Sequence, residues 1–342
     1  MTTNRIFGRA RVITGLAMVL VACGDLDSEE RTTTASNMVQ AAPHTTCGIQ
    51  DGRRPLGDFN ADAISDILWR NTQTGEVRAW LMDPANGTSC QSELVLAPPV
   101  LSPPFTPPTP NPEWKIKGTG DFDGDGDADI LWQNDISHTV VIWLMTGATH
   151  TGGSVNCGSA GWPDWEIADW EIAGTGHYDG DVKAGILWQH VTGSQSDLVV
   201  WHVDGLTCTG TGPEFTSGPA SNWTSYGGGY FDNGYMTMVS GSDVLWRNET
   251  SCKIALWYMD HFEHISGNNP TPWDGSPCGS GEIVGVGRYD NDDYCSDILW
   301  RDNLTDLLYV WQMSGNMVTS IVPIQGCGTI AQEPDWIVVG PH

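Results

Sequence analysis

Basic residues are scarce in this chain. Its 342 residues include only 15 Lys and Arg against 42 Asp and Glu, and the formal net charge is −27 at pH 7. A field of this sign repels phosphate backbones and anionic lipid headgroups, and it attracts cations. The composition therefore disfavours nucleic acid as a partner and suits a protein that binds cations.

The motifs of common hydrolases and zinc sites are also missing. The chain contains no Gly-x-Ser-x-Gly, no His-Glu-x-x-His and no Cys-x-x-Cys. These patterns position a nucleophile, a catalytic zinc or a structural zinc. No pair of acidic residues stands out beyond those in the acidic loops described below. We therefore expect a protein that is not an enzyme.

The N-terminus is typical of an export signal. Three arginines at positions 5, 9 and 11 precede an apolar run from Val12 to Val21, which is too short to span a bilayer as a mature helix. The run leads to Cys23 and Gly24, and residues 20–24 (Leu-Val-Ala-Cys-Gly) resemble the lipobox of bacterial lipoproteins. An ordinary signal peptide with an incidental cysteine is the alternative.

The lipobox resemblance implies a location and a boundary. Residues 1–22 would be the lipoprotein signal peptide, and residues 23–46 would be a lipidated Cys23 followed by a flexible, Thr-rich linker. We expect an exported lipoprotein of the cell envelope, at the periplasmic face or the cell surface, with membrane contact only through its N-terminal lipid. The sequence does not choose between the inner and outer membrane.

Eight cysteines follow Cys23, at positions 47, 90, 157, 208, 252, 278, 295 and 327. An even number in an exported chain predicts disulfides. Pairing between sequence neighbours (47 with 90, 157 with 208, 252 with 278, 295 with 327) would link successive repeats. Eight cysteines allow about 105 pairings, and the sequence does not choose among them.

One unit is repeated five times along the rest of the chain. A Leu-Trp dipeptide preceded by Ile or Val recurs, and a second Trp follows each copy 11 to 13 residues later. Gly-rich turns and short aromatic or apolar segments surround these dipeptides, which predicts about four short strands per unit. The ten periodic tryptophans are Trp69, Trp132, Trp188, Trp246 and Trp300, followed respectively by Trp80, Trp143, Trp201, Trp257 and Trp311.

Units of this size predict an all-β fold, a five-bladed β-propeller over residues 47–342. The repeats cover about 57–112, 113–168, 169–221, 222–280 and 281–334. The first unit lacks its opening strand, whereas residues 335–342 form a surplus copy that would close the ring and remove exposed sheet edges. An open stack of units is the alternative. The Pro-rich stretch from Pro98 to Pro112 is interpreted as a surface insertion.

The second unit contains an acidic loop over residues 121–129. Alternate residues of a tight, Gly-containing turn can aim hard oxygen ligands at one calcium ion. We expect side-chain ligands from Asp121, Asp123, Asp125 and Asp129, and a backbone carbonyl ligand from Asp127. An EF-hand is the competing interpretation, but Trp132 stands where that loop needs a bidentate Glu.

The first unit repeats the pattern over residues 58–66. Here Asp58, Asn60, Asp62 and Asp66 would supply side-chain oxygens and Ile64 its carbonyl, so a second, weaker calcium site is expected. The third loop has Lys183 and lacks the first and last carboxylates, and we expect it to be empty. An insertion argues against a site in the fourth loop. In the fifth, Arg288 takes the first position and can replace the ion electrostatically.

These loops and the recurring Asp-Ile-Leu-Trp strands resemble the FG-GAP or VCBS-type repeats of integrin-like propellers. The resemblance covers residues from about 57 to 342, and it implies calcium held between strands of a blade. It departs from that family in its five units instead of seven and in the missing Gly-Ala-Pro element. In such repeats calcium is more often structural than functional.

The resemblance to propeller lectins favours a non-catalytic, monomeric binding module for carbohydrate or a partner protein. Trp162, Trp165 and Trp273 lie outside the repeat pattern, in loops with Pro and Gly, and are the candidate ligand contacts. One alternative is a polysaccharide hydrolase or lyase, since some propellers carry paired carboxylates in a central channel. Another is an envelope scaffold without a small ligand.

Overall fold

The computed structural model describes residues 54–96, 113–155, 169–192, 194, 196–212, 218–231, 241–260, 263–268, 280–291, 295–328 and 333–340. All of them belong to one compact unit that spans Pro43–His342. The predicted signal peptide, Cys23, the linker, the Pro98 to Pro112 stretch, Trp162, Trp165 and Trp273 lie outside these residues. Within the described part, no helix has the length and hydrophobicity that crossing a membrane requires.

Every named element is a β-strand, and the strands form five four-stranded sheets, here called blades. Blade 1 contains β1 (Ile67–Asn71), β2 (Val77–Met82) and β3 (Cys90–Leu96). Blade 2 contains β4 (Trp114–Gly120), β5 (Asp129–Asn134), β6 (Val140–Thr146) and β7 (Thr149–Ser154). Blade 3 contains β8 (Trp170–Gly176), β9 (Gly185–His190), β10 (Leu198–Asp204) and β11 (Thr207–Thr211).

Blade 4 contains β12 (Trp223–Gly229), β13 (Asp243–Asn248), β14 (Ile254–Asp260) and β15 (Glu263–Asn268). Blade 5 contains β16 (Gly281–Gly287), β17 (Asp297–Asp302), β18 (Leu308–Ser314) and β19 (Met317–Pro323), and β20 (Trp336–Gly340) ends the described chain. Strands that are neighbours in a sheet pair antiparallel, as in β4–β5 and β5–β6. This up-and-down order is that of propeller blades.

The first strands of the blades make a closed circle of contacts. β4 contacts β8, β8 contacts β12, β12 contacts β16, β16 contacts β20, and β20 contacts β4. The chain is therefore an all-β, five-bladed β-propeller. The alternative of an open stack is wrong, because an open stack leaves its two ends apart.

The C-terminal strand closes the ring. β20 takes the innermost position of blade 1 and pairs with β1 in the register Trp69 with Val338 and Asn71 with Trp336. Thr72 extends this pairing by donating its backbone N–H to the carbonyl of Asp335 at 2.7 Å. The missing first strand and the surplus last strand are thus two halves of one blade, as the repeat pattern predicts.

Paired indole rings form the core of the blades. The Trp of the second strand packs against the Trp of the third strand, with ring centroids 4.5 Å apart for Trp69 and Trp80 and 4.6 Å apart for Trp132 and Trp143. The same pair recurs in the other three blades. Tilted aromatic pairs at this distance add to the stabilisation that burial itself provides. The repeated tryptophans are therefore structural.

A disulfide joins the first and last blades. Cys90, at the start of β3, is bonded to Cys327, which follows β19, across a sequence separation of 237 residues. The neighbour pairings of Cys90 with Cys47 and of Cys295 with Cys327 are therefore wrong. Ring closure explains the pairing, because it brings the outer edges of blades 1 and 5 together, where the Cys90 amide donates to the Gln325 carbonyl at 3.0 Å. Cys208, Cys252 and Cys295 are also disulfide-bonded.

Replacing both cysteines of this bridge should destabilise the ring at its seam. We expect the Cys90→Ser/Cys327→Ser variant to lose about 2–5 kcal/mol of unfolding free energy, because a bridge across a long loop restricts the unfolded chain. Urea denaturation followed by tryptophan fluorescence measures the loss. An unchanged midpoint at an unchanged slope would show that the bridge contributes nothing to closure.

Candidate metal centre

In blades 2 to 5 the acidic loop connects the first strand to the second, and in blade 1 it precedes β1. We define the first loop residue as the one after the Gly that precedes the loop, which is Gly57 in blade 1 and the last residue of the innermost strand in blades 2 to 5. The last loop residue is the one immediately before the Ile-Leu-Trp or Val-Leu-Trp sequence. The five first residues are Asp58, Asp121, His177, Tyr230 and Arg288, and the five last residues are Asp66, Asp129, Gly185, Asp243 and Asp297. The described residues of all five loops lie at the same end of the propeller, because all the loops lead into equivalent strands.

Backbone hydrogen bonds between these loops run around the whole ring. In every blade, the residue before the last loop residue donates its N–H to the carbonyl of the first loop residue of the preceding blade. We call these five bonds the loop ring: Ser65 to Arg288 at 2.8 Å, Ala128 to Asp58 at 3.1 Å, Ala184 to Asp121 at 2.7 Å, Ser242 to His177 at 3.0 Å and Ser296 to Tyr230 at 2.8 Å. The acidic loops therefore join blade to blade.

Glycine is required where the loop ring forms. A Cβ on Gly120 would lie 2.6 Å from the Cβ of Ala184, and a Cβ on Gly287 would lie 2.6 Å from the Oγ of Ser65. No real Cβ contact is that short, so a side chain at either position would push neighbouring blades apart. In blades 2 to 5, contact with the next blade thus explains the recurring Gly that ends the innermost strand.

The last Asp of the loop holds the blade together internally. In blade 2, Asp129 accepts the backbone N–H of Phe122 at 2.8 Å on Oδ2 and that of Met145 at 2.8 Å on Oδ1. Equivalent pairs of bonds form at Asp66, Asp243 and Asp297. One buried carboxylate therefore ties the loop to the third strand in four blades, a structural role that the sequence pattern does not reveal.

Three carboxylates of the blade 2 loop converge on one point. One oxygen each from Asp121, Asp123 and Asp129 lies within 4.8 Å of the other two. Asp121 is buried and is held by the backbone N–H groups of Gly124 at 2.6 Å and Gly126 at 3.0 Å. The structure thus brings together three of the predicted side-chain ligands.

Two other predicted ligands of this loop stand outside that group. Asp125 is exposed, and its Oδ1 accepts the N–H of Asp127 at 2.9 Å. The carboxylate of Asp127 accepts the N–H of Gly147 at 3.3 Å, which leaves its backbone carbonyl as the group expected to ligate. Their part in binding a cation stays a prediction.

The electrostatics of the blade 2 loop favour a bound cation. Burial raises the pKa of Asp121 and of Asp123, and their neighbouring carboxylates raise both values further. Burial also raises the pKa of Asp129 to about 8, with added repulsion from Asp123 and Asp121. A divalent cation would relieve both the desolvation and the repulsion. Hard, clustered carboxylate oxygens fit calcium.

The blade 1 loop has the same left-handed backbone at two positions, where alanine stands instead of glycine. Ala61 and Ala63 have φ of 59° and 69°, whereas the corresponding positions of blade 2 are Gly124 and Gly126, with φ of 84° and 97°. An alanine in this left-handed region costs roughly 1 kcal/mol or more relative to glycine. The loop holds this strained conformation because Asp58 accepts the N–H of Ala63 at 2.9 Å.

The predicted blade 1 ligands differ in how far they are buried. Asp58 and Ile64 are buried, Asp62 is half-buried and Asn60 is exposed, while Asp66 makes the bridging bonds described above. The Asn60 amide donates to Asp62 at 3.0 Å. Burial raises the pKa of Asp58 to about 6 and that of Asp66 to about 8.

Two guanidinium groups also touch the blade 1 loop. Arg54 lies 3.8 Å from Asp58, and Arg288 of blade 5 donates to the carbonyl of Ala63 at 3.0 Å. Sequence analysis identified Arg288 as a candidate replacement for an ion in its own loop, but its side chain reaches the next one. No local sequence signal indicates this, because the contact depends on ring closure.

Blade 3 has a different arrangement at this position. With Gly185 in place of the last Asp, a cavity of about 160 Å³ lies beside the loop. Asp179 pairs with His202 at 2.8 Å between Oδ2 and Nδ1, and Lys183 pairs with Asp204. Basic side chains thus lie beside the carboxylates of this loop.

Serine hydroxyls replace part of the acidic pattern in the remaining loops. Where the first loop residue is not Asp, a Ser of the next blade accepts its backbone N–H: Ser242 from His177, Ser296 from Tyr230 and Ser65 from Arg288, at 2.9, 2.9 and 2.8 Å. Asp232 and Asp292 of the fourth and fifth loops lie outside the described residues.

Comparisons with known proteins found a similarity in fold and none in sequence. No protein-family model matches it, and no curated protein matches it by sequence. One similar solved structure is titled "Crystal structure of Nidogen/Laminin Complex", with a TM-score of 0.41 and 9% identity, covering 80% of this chain and 96% of that chain. The propeller assignment above follows from the strand order alone.

Without a cation, the unfolding free energy should fall as the pH rises toward the raised pKa values of the buried carboxylates. Asp129 has an unperturbed pKa of 3.8 and a folded pKa of about 8, so between these values the folded state binds more protons than the unfolded state. His150 and His264, whose pKa values burial lowers from 6.5, give the opposite slope below that pH. Between about pH 6.5 and 8, the effect of the buried carboxylates on stability is therefore separated from that of these histidines.

We expect the unfolding free energy in EDTA to decrease across this window, as measured by urea titration at several pH values. Asp129→Asn should reduce the slope, because the amide does not titrate, and should leave the part that Asp66 contributes through its folded pKa of about 8. Saturating calcium should also reduce the decrease. A free energy that rises with pH in EDTA would contradict the assigned burial of these carboxylates.

Proposed function

We propose that the protein is a calcium-stabilised β-propeller, anchored to the cell envelope through a lipid on Cys23, that acts as a non-catalytic binding module for carbohydrate or a partner protein. The observation that carries the calcium part is the convergence of Asp121, Asp123 and Asp129. Five carboxylates in nine residues, three of them close together and largely withdrawn from water, are costly without a counter-ion.

The calcium would act on the ring as a whole. Asp121 contributes a carboxylate to the candidate site, and its carbonyl accepts the N–H of Ala184 from blade 3 at 2.7 Å. The carbonyl of Phe122 accepts the N–H of Gly205, also of blade 3, at 2.8 Å. A cation that fixes this loop therefore fixes two contacts between blades 2 and 3.

The support for a binding role is architectural. A closed ring of five sheets is a rigid body that presents the loops between its strands at both ends, and recognition residues are commonly found on such loops. The negative net charge suits neutral or cationic ligands better than anionic ones. Trp162, Trp165 and Trp273 remain the proposed contacts, since aromatic faces stack on sugar rings.

Calcium should raise the melting temperature of the mature protein. With calcium at about 100 times its dissociation constant, the folded state gains about 2.7 kcal/mol, which corresponds to an increase on the order of 5 °C for a domain of this size. Differential scanning calorimetry with and without EDTA measures the shift. Asp123→Asn should lose most of it, and the same substitution in the blade 1 loop, Asp62→Asn, should lose less.

An identical melting temperature with calcium and with EDTA would contradict the metal part of the proposal. Mass spectrometry of the N-terminus of the same preparation tests the anchor, since lipidation adds a diacylglycerol mass to Cys23. An unmodified N-terminus at another residue would contradict the lipoprotein assignment without affecting the metal.

Ligand binding is tested on the calcium-loaded protein. We expect a glycan array or crosslinking on intact cells to recover a ligand, and Trp162→Ala, Trp165→Ala or Trp273→Ala to weaken its binding. Trp69→Phe, in the core, is the matched control that should change stability and leave affinity unchanged. If neither assay recovers a ligand, the binding role is contradicted and the envelope scaffold is favoured. If the protein degrades a polysaccharide, the hydrolase or lyase alternative is favoured.

A further inference from the structure

Blade 3 places a cation against the candidate calcium loop of blade 2. A Cβ built on Gly124 would lie 3.1 Å from Cε and 3.6 Å from Cγ of Lys183, so the lysine stem covers this glycine. Gly124 stands next to Asp123 and donates its N–H to Asp121 at 2.6 Å. The lysine therefore lies over the segment that shapes the site.

The charge of Lys183 acts on the loop it covers. Its ammonium is one of the groups that oppose the burial-driven rise in the pKa of Asp123, and Asp123, Asp181 and Asp204 in turn raise the pKa of the lysine. Lys183 pairs directly with Asp204, which ends β10, and the turn after it packs on the same loop through Gly205. The side chain is about one quarter exposed, at 27%.

We infer that Lys183 sets the cation affinity of the blade 2 loop: its ammonium weakens calcium binding by adding a positive charge beside Asp123, and its ion pair with Asp204 limits that effect. The inference rests on the proposed calcium site and concerns its regulation from the neighbouring blade. A positive charge repels a divalent cation twice as strongly as it would a monovalent one at the same distance.

The guanidinium of Arg54 also reaches this loop, since a Cβ built on Gly126 would lie 3.9 Å from its Nε. The chain has only four lysines, at positions 115, 117, 183 and 253. Lys115 and Lys117 belong to the innermost strand β4, and Lys253 is exposed in the turn between β13 and β14 of blade 4. Lys253 is thus a matched control, since its loss changes the net charge equally in another blade.

The experiment is isothermal titration of the chelator-treated mature protein with calcium chloride. We expect Lys183→Met to lower the calcium dissociation constant about threefold to tenfold, Lys183→Arg to leave it close to wild type, and Lys253→Met to change it by less than about twofold. Asp204→Asn should raise the dissociation constant, and raise it more when Lys183 is present than in the Lys183→Met background.

Salt gives a second readout that a packing defect would not reproduce. The difference between wild type and Lys183→Met should shrink at about 1 M NaCl, where the screening length falls to about 3 Å. Equal affinities of Lys183→Met and Lys253→Met would overturn the inference while leaving the calcium site in place. Absence of calcium binding by wild type and every variant would instead overturn the proposed site itself, and the inference with it.

Discussion

The loop ring is the interaction on which the rest of this structure depends. Each blade donates one backbone N–H to the first loop residue of the blade before it, with donor–acceptor distances from 2.7 to 3.1 Å. The bond from Ser65 to Arg288 joins blade 1 to blade 5, so it depends on the closure that β20 makes with β1, and the Cys90–Cys327 bridge joins the same two blades. The same bonds place the acidic loops side by side, where one blade can influence the site of the next.

Much of the fold could be predicted from the sequence because the repeat carries its own markers. The Leu-Trp dipeptides identify the second strands, and the extra strand around Trp336 predicts the closure that β20 makes with β1. The disulfide pairing could not be predicted, because sequence separation says nothing about which outer edges meet in a ring. Cys90 and Cys327 are 237 residues apart in sequence and adjacent only after closure.

The candidate site was predictable in part. The acidic pattern indicates Asp121, Asp123 and Asp129, which the structure brings together. It does not reveal that Asp129 also accepts two backbone N–H groups. Blades 4 and 5, which lack the complete acidic loop, keep the same Asp for these two bonds. Nor does it reveal Lys183, whose place beside Asp123 results from the packing of blade 3 against blade 2. The sequence pattern of one repeat does not indicate which residues of two neighbouring blades will be in contact.

We propose that a cation that neutralises the blade 2 loop strengthens the contacts between blades 2 and 3. The most direct measurement is the anomalous scattering of a crystal of the mature protein grown with calcium. The account predicts an anomalous peak within calcium–oxygen bonding distance of Asp121, Asp123 and Asp129, about 2.3–2.6 Å, with the Ala184 to Asp121 hydrogen bond intact. A map without a peak there, in crystals where the three carboxylates are well ordered, would contradict it.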